Sequence, residues 1–348
     1  LDIGVTLASY GCPSYRLEDV IRAVAEAEGY RAEPFALPTG LFLRVVPREG
    51  VASPQVHRMA RHFDWGVDHE RLALVDSIFK DVAAKRATIE QARARIREVV
   101  QKAPLWSTPL VWAATVASAA AAAVFFRGAL VDVLAAGLVG ALVGGARIVL
   151  GRRHAQRLLT EFLGGLLGAG FGWVATRLWP GASPEVIVLA GAISLFPGMT
   201  FTTGIAEVTQ KNLVAGGARR LESGVTLLLI LFGVALVAGL QQMTGAELPV
   251  LGPRQGLGLP WQATALVTAS LAFGVLFQVP RRYLWAALAS GATGYVVTAL
   301  AVRHMPGHVA AFAAALAVGL LANGLARATQ RPAQLFQLPG MMLLVPGS

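Results

Sequence analysis

From Leu105 onward the chain is a succession of apolar runs of about 18–23 residues, the length needed to cross a hydrocarbon core as a helix. They fall at about 105–126, 129–150, 158–179, 186–206, 223–243, 261–279, 283–302 and 309–326, and a ninth opens near Leu335. Trp106, Trp112, Trp179, Trp261, Tyr283 and Trp285 lie near the ends of these runs, where amphipathic rings sit at headgroup level. The pattern before Leu105 is different. Leu17, Val20, Ile21 and Val24 recur at i, i+3, i+4 and i+7, which predicts an amphipathic helix that Ser14 can cap and Gly29 can end. Phe35 to Val46, bounded by proline and glycine, reads as one or two strands. Asp68 to Lys102 reads as helical with a break near Ala87-Thr88, where Thr88 and Gln91 have capping-box spacing.

The apolar part repeats itself. Leu134-Ala-Ala-Gly-Leu-Val-Gly140 returns as Leu288-Ala-Ser-Gly-Ala-Thr-Gly294, Arg127 returns as Arg281, and Leu195-Phe-Pro-Gly198 is echoed by Leu344-Val-Pro-Gly347. These matches fall in order at equivalent spans and predict a five-span unit used twice. Five is odd, so the second copy runs through the membrane in the opposite sense, the inverted-repeat design of secondary transporters. The expected architecture is a polytopic α-helical membrane protein with inverted five-helix repeats, preceded by a small cytoplasmic α/β domain. Its parts are the domain at 1–103, a first repeat at 104–244 and a second, incomplete repeat at 245–348. The last Pro-Gly lies one residue before the end of the sequence, so a tenth helix is expected beyond it or in a partner chain. No signal peptide is read at the start.

Composition supports the division. The chain is 55 % hydrophobic and 14 % charged, against about 25 % charged in a soluble domain. Residues 1–103 hold 15 Lys/Arg and 14 Asp/Glu; residues 104–348 hold 15 Lys/Arg and six acids. The positive charge therefore sits among the apolar runs, which argues for basic loops at an anionic leaflet and against a nucleic-acid partner. With the N-terminal domain inside, the inner loops, with Arg152, Lys211 and Arg281 among them, carry ten Lys/Arg; the outer loops carry Arg127, Arg177, Arg254 and Arg303. This predicts an N-terminus on the cytoplasmic side of a cell inner membrane. The single cysteine, Cys12, allows no internal disulfide.

Six acids are few enough to weigh singly. Glu185, Glu222 and Glu247 fall at span ends or in loops. Asp132, Glu161 and Glu207 fall within or next to spans, where an ionisable group is costly and usually faces a cavity. They are the candidate proton-coupling residues, with placement at the membrane interface as the plainer alternative. Pro197-Gly198 and Pro346-Gly347 interrupt spans four and nine, freeing backbone groups that only protein or a water-filled cavity can satisfy. After the first break, Thr200, Thr203 and Glu207 line one face of a helix, with Thr202 and Gly204 beside them. Hydroxyls and freed amides suit a zwitterionic amino acid; a polar helix–helix contact is the competing explanation. The candidate substrate-binding set is Pro197, Gly198, Thr200, Thr202, Thr203, Gly204, Pro346 and Gly347. Glycines at 140 and 144, and at 164, 168 and 172, place small faces on their helices for close packing.

No Walker loop and no metal-ligand spacing occurs, so no cofactor is expected and an ion gradient supplies the energy, protons first. Ser14, His57, His62, Asp64 and Asp68 are hydrolase-type residues without nucleophile spacing, so the chain is not read as an enzyme. Arg147 is the one cation inside a span-end region that could serve a dicarboxylate. The partners expected are a small-molecule substrate, protons and membrane lipids; a homo-oligomer is left open.

Several of these segments resemble the threonine/serine exporter family: Ala8-Ser-Tyr-Gly-Cys-Pro-Ser-Tyr-Arg-Leu-Glu18, Leu37-Pro-Thr-Gly40, Val67-Asp-His-Glu-Arg-Leu-Ala-Leu-Val-Asp76, Phe196-Pro-Gly-Met-Thr200, Gly204-Ile-Ala-Glu207, Gly217-Ala-Arg219 and Leu344-Val-Pro-Gly-Ser348. The resemblance implies an inner-membrane exporter of L-threonine and L-serine driven by the proton-motive force, with succinate-type export by split relatives as the alternative. Ala286 stands at the repeat position of Asp132, so the two halves do not contribute equivalent acids.

Overall fold

The computed structural model describes residues 1–47, 55–61, 66–150, 154–179, 181–245 and 256–341, with 154–157 and 338–341 described by their backbone alone. In chain order the elements are α1 (Asp2–Ser9), α2 (Ser14–Ala27), β1 (Tyr30–Leu37), β2 (Gly40–Pro47), β3 (Val56–Arg61), α3 (His69–Ala83) and α4 (Ile89–Gln101). There follow α5 (Thr108–Phe125), α6 (Leu130–Leu150), α7 (His154–Leu178), α8 (Pro184–Gly191), a 3₁₀ turn (Ile193–Leu195), α9 (Gly198–Thr209) and α10 (Leu213–Met243). The rest are α11 (Leu259–Leu276), a 3₁₀ turn (Arg281–Tyr283), α12 (Leu284–Ala301), α13 (Gly307–Thr329) and α14 (Gln334–Met341). Two compact units form. One holds Leu1–Leu105 together with Met199–Ser223 and Phe277–Pro280; the other holds the remaining helices. The first unit thus draws in two segments that the sequence pattern leaves with the apolar runs.

In the first unit β1, β2 and β3 form an antiparallel sheet in that order. Phe35 pairs with Phe42 and Leu37 with Gly40, which closes a hairpin over Pro38-Thr39. Strand alternation turns Ala32, Ala36, Leu41 and Leu43 inward, where Leu17, Ile21, Val75, Ile78, Val82 and Ile96 complete the core. The outer row Phe35, Phe42 and Met59 stays exposed. The strand β3 went unforeseen because Val56-His-Arg-Met-Ala-Arg61 has no buried apolar alternation to signal it. Helices α3 and α4 appear as expected, and the Thr88–Gln91 capping box is present in both directions. The expected Ser14 cap is corrected: Pro13 holds the cap position with φ −64° and ψ 148°, and Ser14 is the first helical residue with no side-chain cap bond.

Among the described residues seven helices are long and apolar enough to cross a membrane. The pair formed by α8 and the 3₁₀ turn with α9 makes an eighth if counted as one span, bent by 42° at its break. The chain is therefore a multi-pass membrane protein. The glycine faces explain how its helices approach. A Cβ on Gly168 would come within 3.1 Å of the Val188 backbone, and one on Gly172 within 2.9 Å of Pro184, so α7 can lie on α8 only with glycine there. Gly140 does the same for α6 against Ala119 of α5. The neighbour pattern then recurs. Helix α6 packs on α5, α7 and α8, and α12 packs on α11, α13 and α14; α8 also touches α5 and α7, as α14 touches α11 and α13. Helices α5 and α11 pack on each other.

Candidate functional site

Ser183, Pro184 and the apolar Val186-Ile-Val-Leu-Ala190 start α8. Helix α8 ends at Gly191, and after a 3₁₀ turn over Ile193–Leu195 comes Pro197, which has no N–H with which to continue a helix. Phe196 is extended, with φ −60° and ψ 127°, and α9 begins anew at Gly198. The first expected break is thus real. Pro346 and Gly347, the second, lie outside the described residues. On α9, Thr200 and Thr203 are half-buried, Gly204 and Glu207 are buried, and Thr202 is exposed beside Phe201 and Ile205. Glycine at 204 lets α9 cross α10 closely, since a Cβ there would meet Gly216 O at 3.1 Å and Arg219 Cβ at 3.2 Å.

The expected site residues fall in both compact units. Asp132, Glu161, Pro197 and Gly198 belong to the helical unit, whereas Thr200, Thr202, Thr203, Gly204 and Glu207 belong to the unit built around the sheet. Asp132 is fully buried, and its carboxylate accepts the Ala129 N–H at 2.8 Å and the Ser183 N–H at 2.6 Å. It therefore joins the start of α6 to the start of α8. Glu161, in α7, is also buried. Glu207 is fully buried and accepts hydrogen bonds from Arg219 Nε at 3.1 Å and from the Ser14 N–H at 2.8 Å. A membrane-segment acid is thus the missing cap of α2. Asn212 follows suit one turn on: its N–H bonds the Glu207 carbonyl at 2.9 Å, and its side-chain amide reaches Glu18, whose carboxylate also holds Ala36 N–H at 3.0 Å.

Two residues with clear duties lie in segments that carry the family resemblance, but nothing in their spacing assigns them a role. Arg219 reads as one of many loop cations, and only the shortage of acids hints that its partner is Glu207. His69 opens α3. Its N–H and Nδ1 both reach Phe277 O, at 3.1 and 2.8 Å, and the Glu70 N–H donates to Gln278 O at 3.1 Å. The Phe277 ring meets the imidazole edge-on at 6.0 Å. Burial pulls the His69 pKa down to about 4, partly opposed by the carbonyl, so the ring is neutral at pH 7. The start of α3, like that of α2, is completed by a segment far along the chain. Cys12, buried beside Arg16, Asp76, Arg219 and Glu207, has its thiol pushed up to about 12 by burial, which leaves it unreactive.

The remaining candidates fall elsewhere. Asp68 accepts the Arg71 N–H as an ordinary helix cap, His57 is exposed, and His62 and Asp64 lie outside the described residues. Arg147 is exposed on α6, which gives no support to a buried dicarboxylate site. Among the described residues no three His, Cys, Asp or Glu side chains are grouped so as to hold a metal ion.

A small α/β domain joined to many apolar helices, one of them broken at a proline, defines a polytopic membrane protein of transporter type. Residues 1–241 match the family model described as putative threonine/serine exporter, and residues 262–348 match a second, described as threonine/serine exporter. The chain belongs to the threonine/serine exporter family. It is 27 % identical, over 80 % of its length and 54 % of the relative's, to a Mycobacterium tuberculosis protein named probable threonine/serine exporter. It is 23 % identical to an uncharacterised protein of Schizosaccharomyces pombe, over 97 % of this chain and 41 % of that one. The same identity holds for pheromone-regulated membrane protein 10 of Zygosaccharomyces rouxii, over 98 % and 35 %. The chain thus spans 35 to 54 % of the length of these curated relatives. No solved structure matches it.

Proposed function

We propose that the chain is a secondary active exporter of small L-amino acids, L-threonine and L-serine, working by proton antiport in the cell inner membrane with the sheet domain in the cytoplasm. The observation that carries this reading is the span interrupted between Gly191 and Gly198 in a multi-pass chain of an exporter family. At such a break the first turn of α9 offers backbone N–H groups and a positive helix end for a substrate carboxylate, with Thr200 and Thr203 as hydroxyl partners and Gly204 keeping the helix against α10. Pro197 and Gly198 hold the break open; Thr202, on the exposed face, serves only if another element covers it.

Inverted repeats are supported by the recurring neighbour pattern around α6 and α12 and by the contact of α5 with α11, where a pseudo-two-fold axis would pass. The helix α14, described over Gln334–Met341, is taken as the counterpart of α8, and Pro346 and Gly347, outside the described residues, as the second break. The loop around Lys211, rich in Lys and Arg, shares a compact unit with the N-terminal domain, and so does the segment Phe277–Pro280 that leads to Arg281, in keeping with one cytoplasmic side. Asp132, Glu161 and Glu207 are the proton-coupling candidates. At two of them a proton would displace hydrogen bonds already made, so proton uptake there would be felt at the start of α8 or of α2.

The test is transport by the purified full chain in vesicles. Labelled L-threonine should move against its gradient when a pH gradient is imposed, unlabelled L-serine should compete, and succinate should not. Competition by succinate with no L-threonine movement would overturn the reading in favour of a dicarboxylate.

A further inference from the structure

The Glu207–Arg219 pair does more than fill a core. Both side chains are nearly inaccessible, at 0 % and 5 % exposure, so each charge depends on the other. One partner sits in the last turn of α9, and the other on the first turns of α10. The carboxylate also supplies the cap that Pro13 cannot give to α2. Asn212, in the turn between α9 and α10, adds a bond to Glu18 on the same face of α2. The described hydrogen bonds of the Glu207 carboxylate and of the Asn212 side chain therefore end on the N-terminal domain or cross between α9 and α10. Met199, at the start of α9, packs near Gly11, which occupies a left-handed φ of +88° just before Pro13.

We propose that Glu207 and Arg219 are positioning residues of the transport element: they clasp the α9–α10 elbow to the first turn of α2, so that α9 cannot change its angle to α10 without uncapping α2. The N-terminal domain is then a working part of the transporter, and its hold on α9 sets how fast the broken span moves. This rests on the exporter reading only for its consequence in transport; the clasp itself stands on the geometry.

Ser14→Pro is a selective test. Ser14 is the first helical residue of α2, a position that accepts proline, and Pro13 before it is already extended. The substitution deletes one N–H and leaves the ion pair untouched. Ser14→Ala keeps that N–H. In the full chain, hydrogen exchange over residues 206–216 should rise about tenfold in Ser14→Pro, the worth of one charge-assisted hydrogen bond, and stay at the parental rate in Ser14→Ala. The maximal rate of L-threonine transport should change by a similar factor with KM unaltered. The double variant Glu207→Leu, Arg219→Leu, which leaves no buried unpaired charge and no acceptor for the Ser14 N–H, should reproduce the exchange effect and stands in for that readout if Ser14→Pro does not fold. Unchanged exchange in the elbow would overturn the clasp. Faster exchange with an unaltered transport rate would reduce it to a structural bond and overturn its positioning role. A parental chain that moves neither amino acid would instead refute the exporter reading, and the exchange result would still decide whether the clasp exists.

Discussion

Asp132 and Glu207 are both carboxylates with no exposed surface, and each accepts the N–H that opens a helix, Ser183 before α8 in one case and Ser14 of α2 in the other. They differ in what surrounds them. Asp132 sits in the helical unit, and its described hydrogen bonds are to backbone N–H groups 3 and 51 residues away. Glu207 sits in the sheet unit beside a buried guanidinium, and its hydrogen bond to Ser14 spans 193 residues. The first is a splice within a bundle. The second joins parts of the chain that a boundary drawn at Pro104 would separate, so the N-terminal domain lacks the starts of both α2 and α3 without segments from beyond residue 198.

The sharpest break of this contrast is Arg219→Ala. It strands a buried carboxylate and should cost about 3–5 kcal/mol, enough to prevent purification of a stable monodisperse protein; a melting temperature near that of the parent would mean the pair is not buried in solution. Acid should act next, through His69 in the sheet unit. His69 is lowered from 6.5 to about 4, so the unfolded chain binds its proton first as pH falls. The stability it contributes is whole above pH 6.5, drains between 6.5 and 4, and amounts to about 3 kcal/mol; His69→Gln should flatten that part of the pH–stability curve. Asp132→Ala should cost about 2 kcal/mol by leaving the Ser183 N–H without its carboxylate, and hydrogen exchange at the start of α8 should rise while α2 is unaffected. The smallest effect is Thr88→Ala, about 1 kcal/mol, a local cap that should loosen α4 and leave both carboxylates undisturbed.

Local pattern foretold the local structure. The i, i+3, i+4 spacing of Leu17, Val20 and Ile21, the Thr88 capping box, the span lengths and the break at Pro197 each depend on neighbours within a few residues, and each is present. What sequence spacing could not supply were partners at long range. Nothing near Ser14 announces that Glu207 caps it, and nothing near His69 announces the Phe277 carbonyl, because those bonds exist only once the chain has folded back. The strand β3 was hidden for a related reason: it is held by pairing with β2, not by burying side chains of its own. At the candidate site, helical spacing correctly aligned Thr200, Thr203 and Glu207, and the same spacing could not say that the Glu207 end of that face was already committed to α2.

The account rests on the two halves of the bundle being inverted copies. Arg127, between α5 and α6, and Arg282, between α11 and α12 and next to the Arg281 that the sequence repeat matches with Arg127, are both exposed. In a Cys12→Ser background, single substitutions Arg127→Cys and Arg282→Cys can be labelled with a membrane-impermeant thiol reagent in right-side-out and inside-out vesicles. The expected result is that Arg127→Cys labels from the outer face and Arg282→Cys from the inner. Labelling of both from one face would mean the halves run in parallel, and the transporter reading of the paired breaks would fall with it.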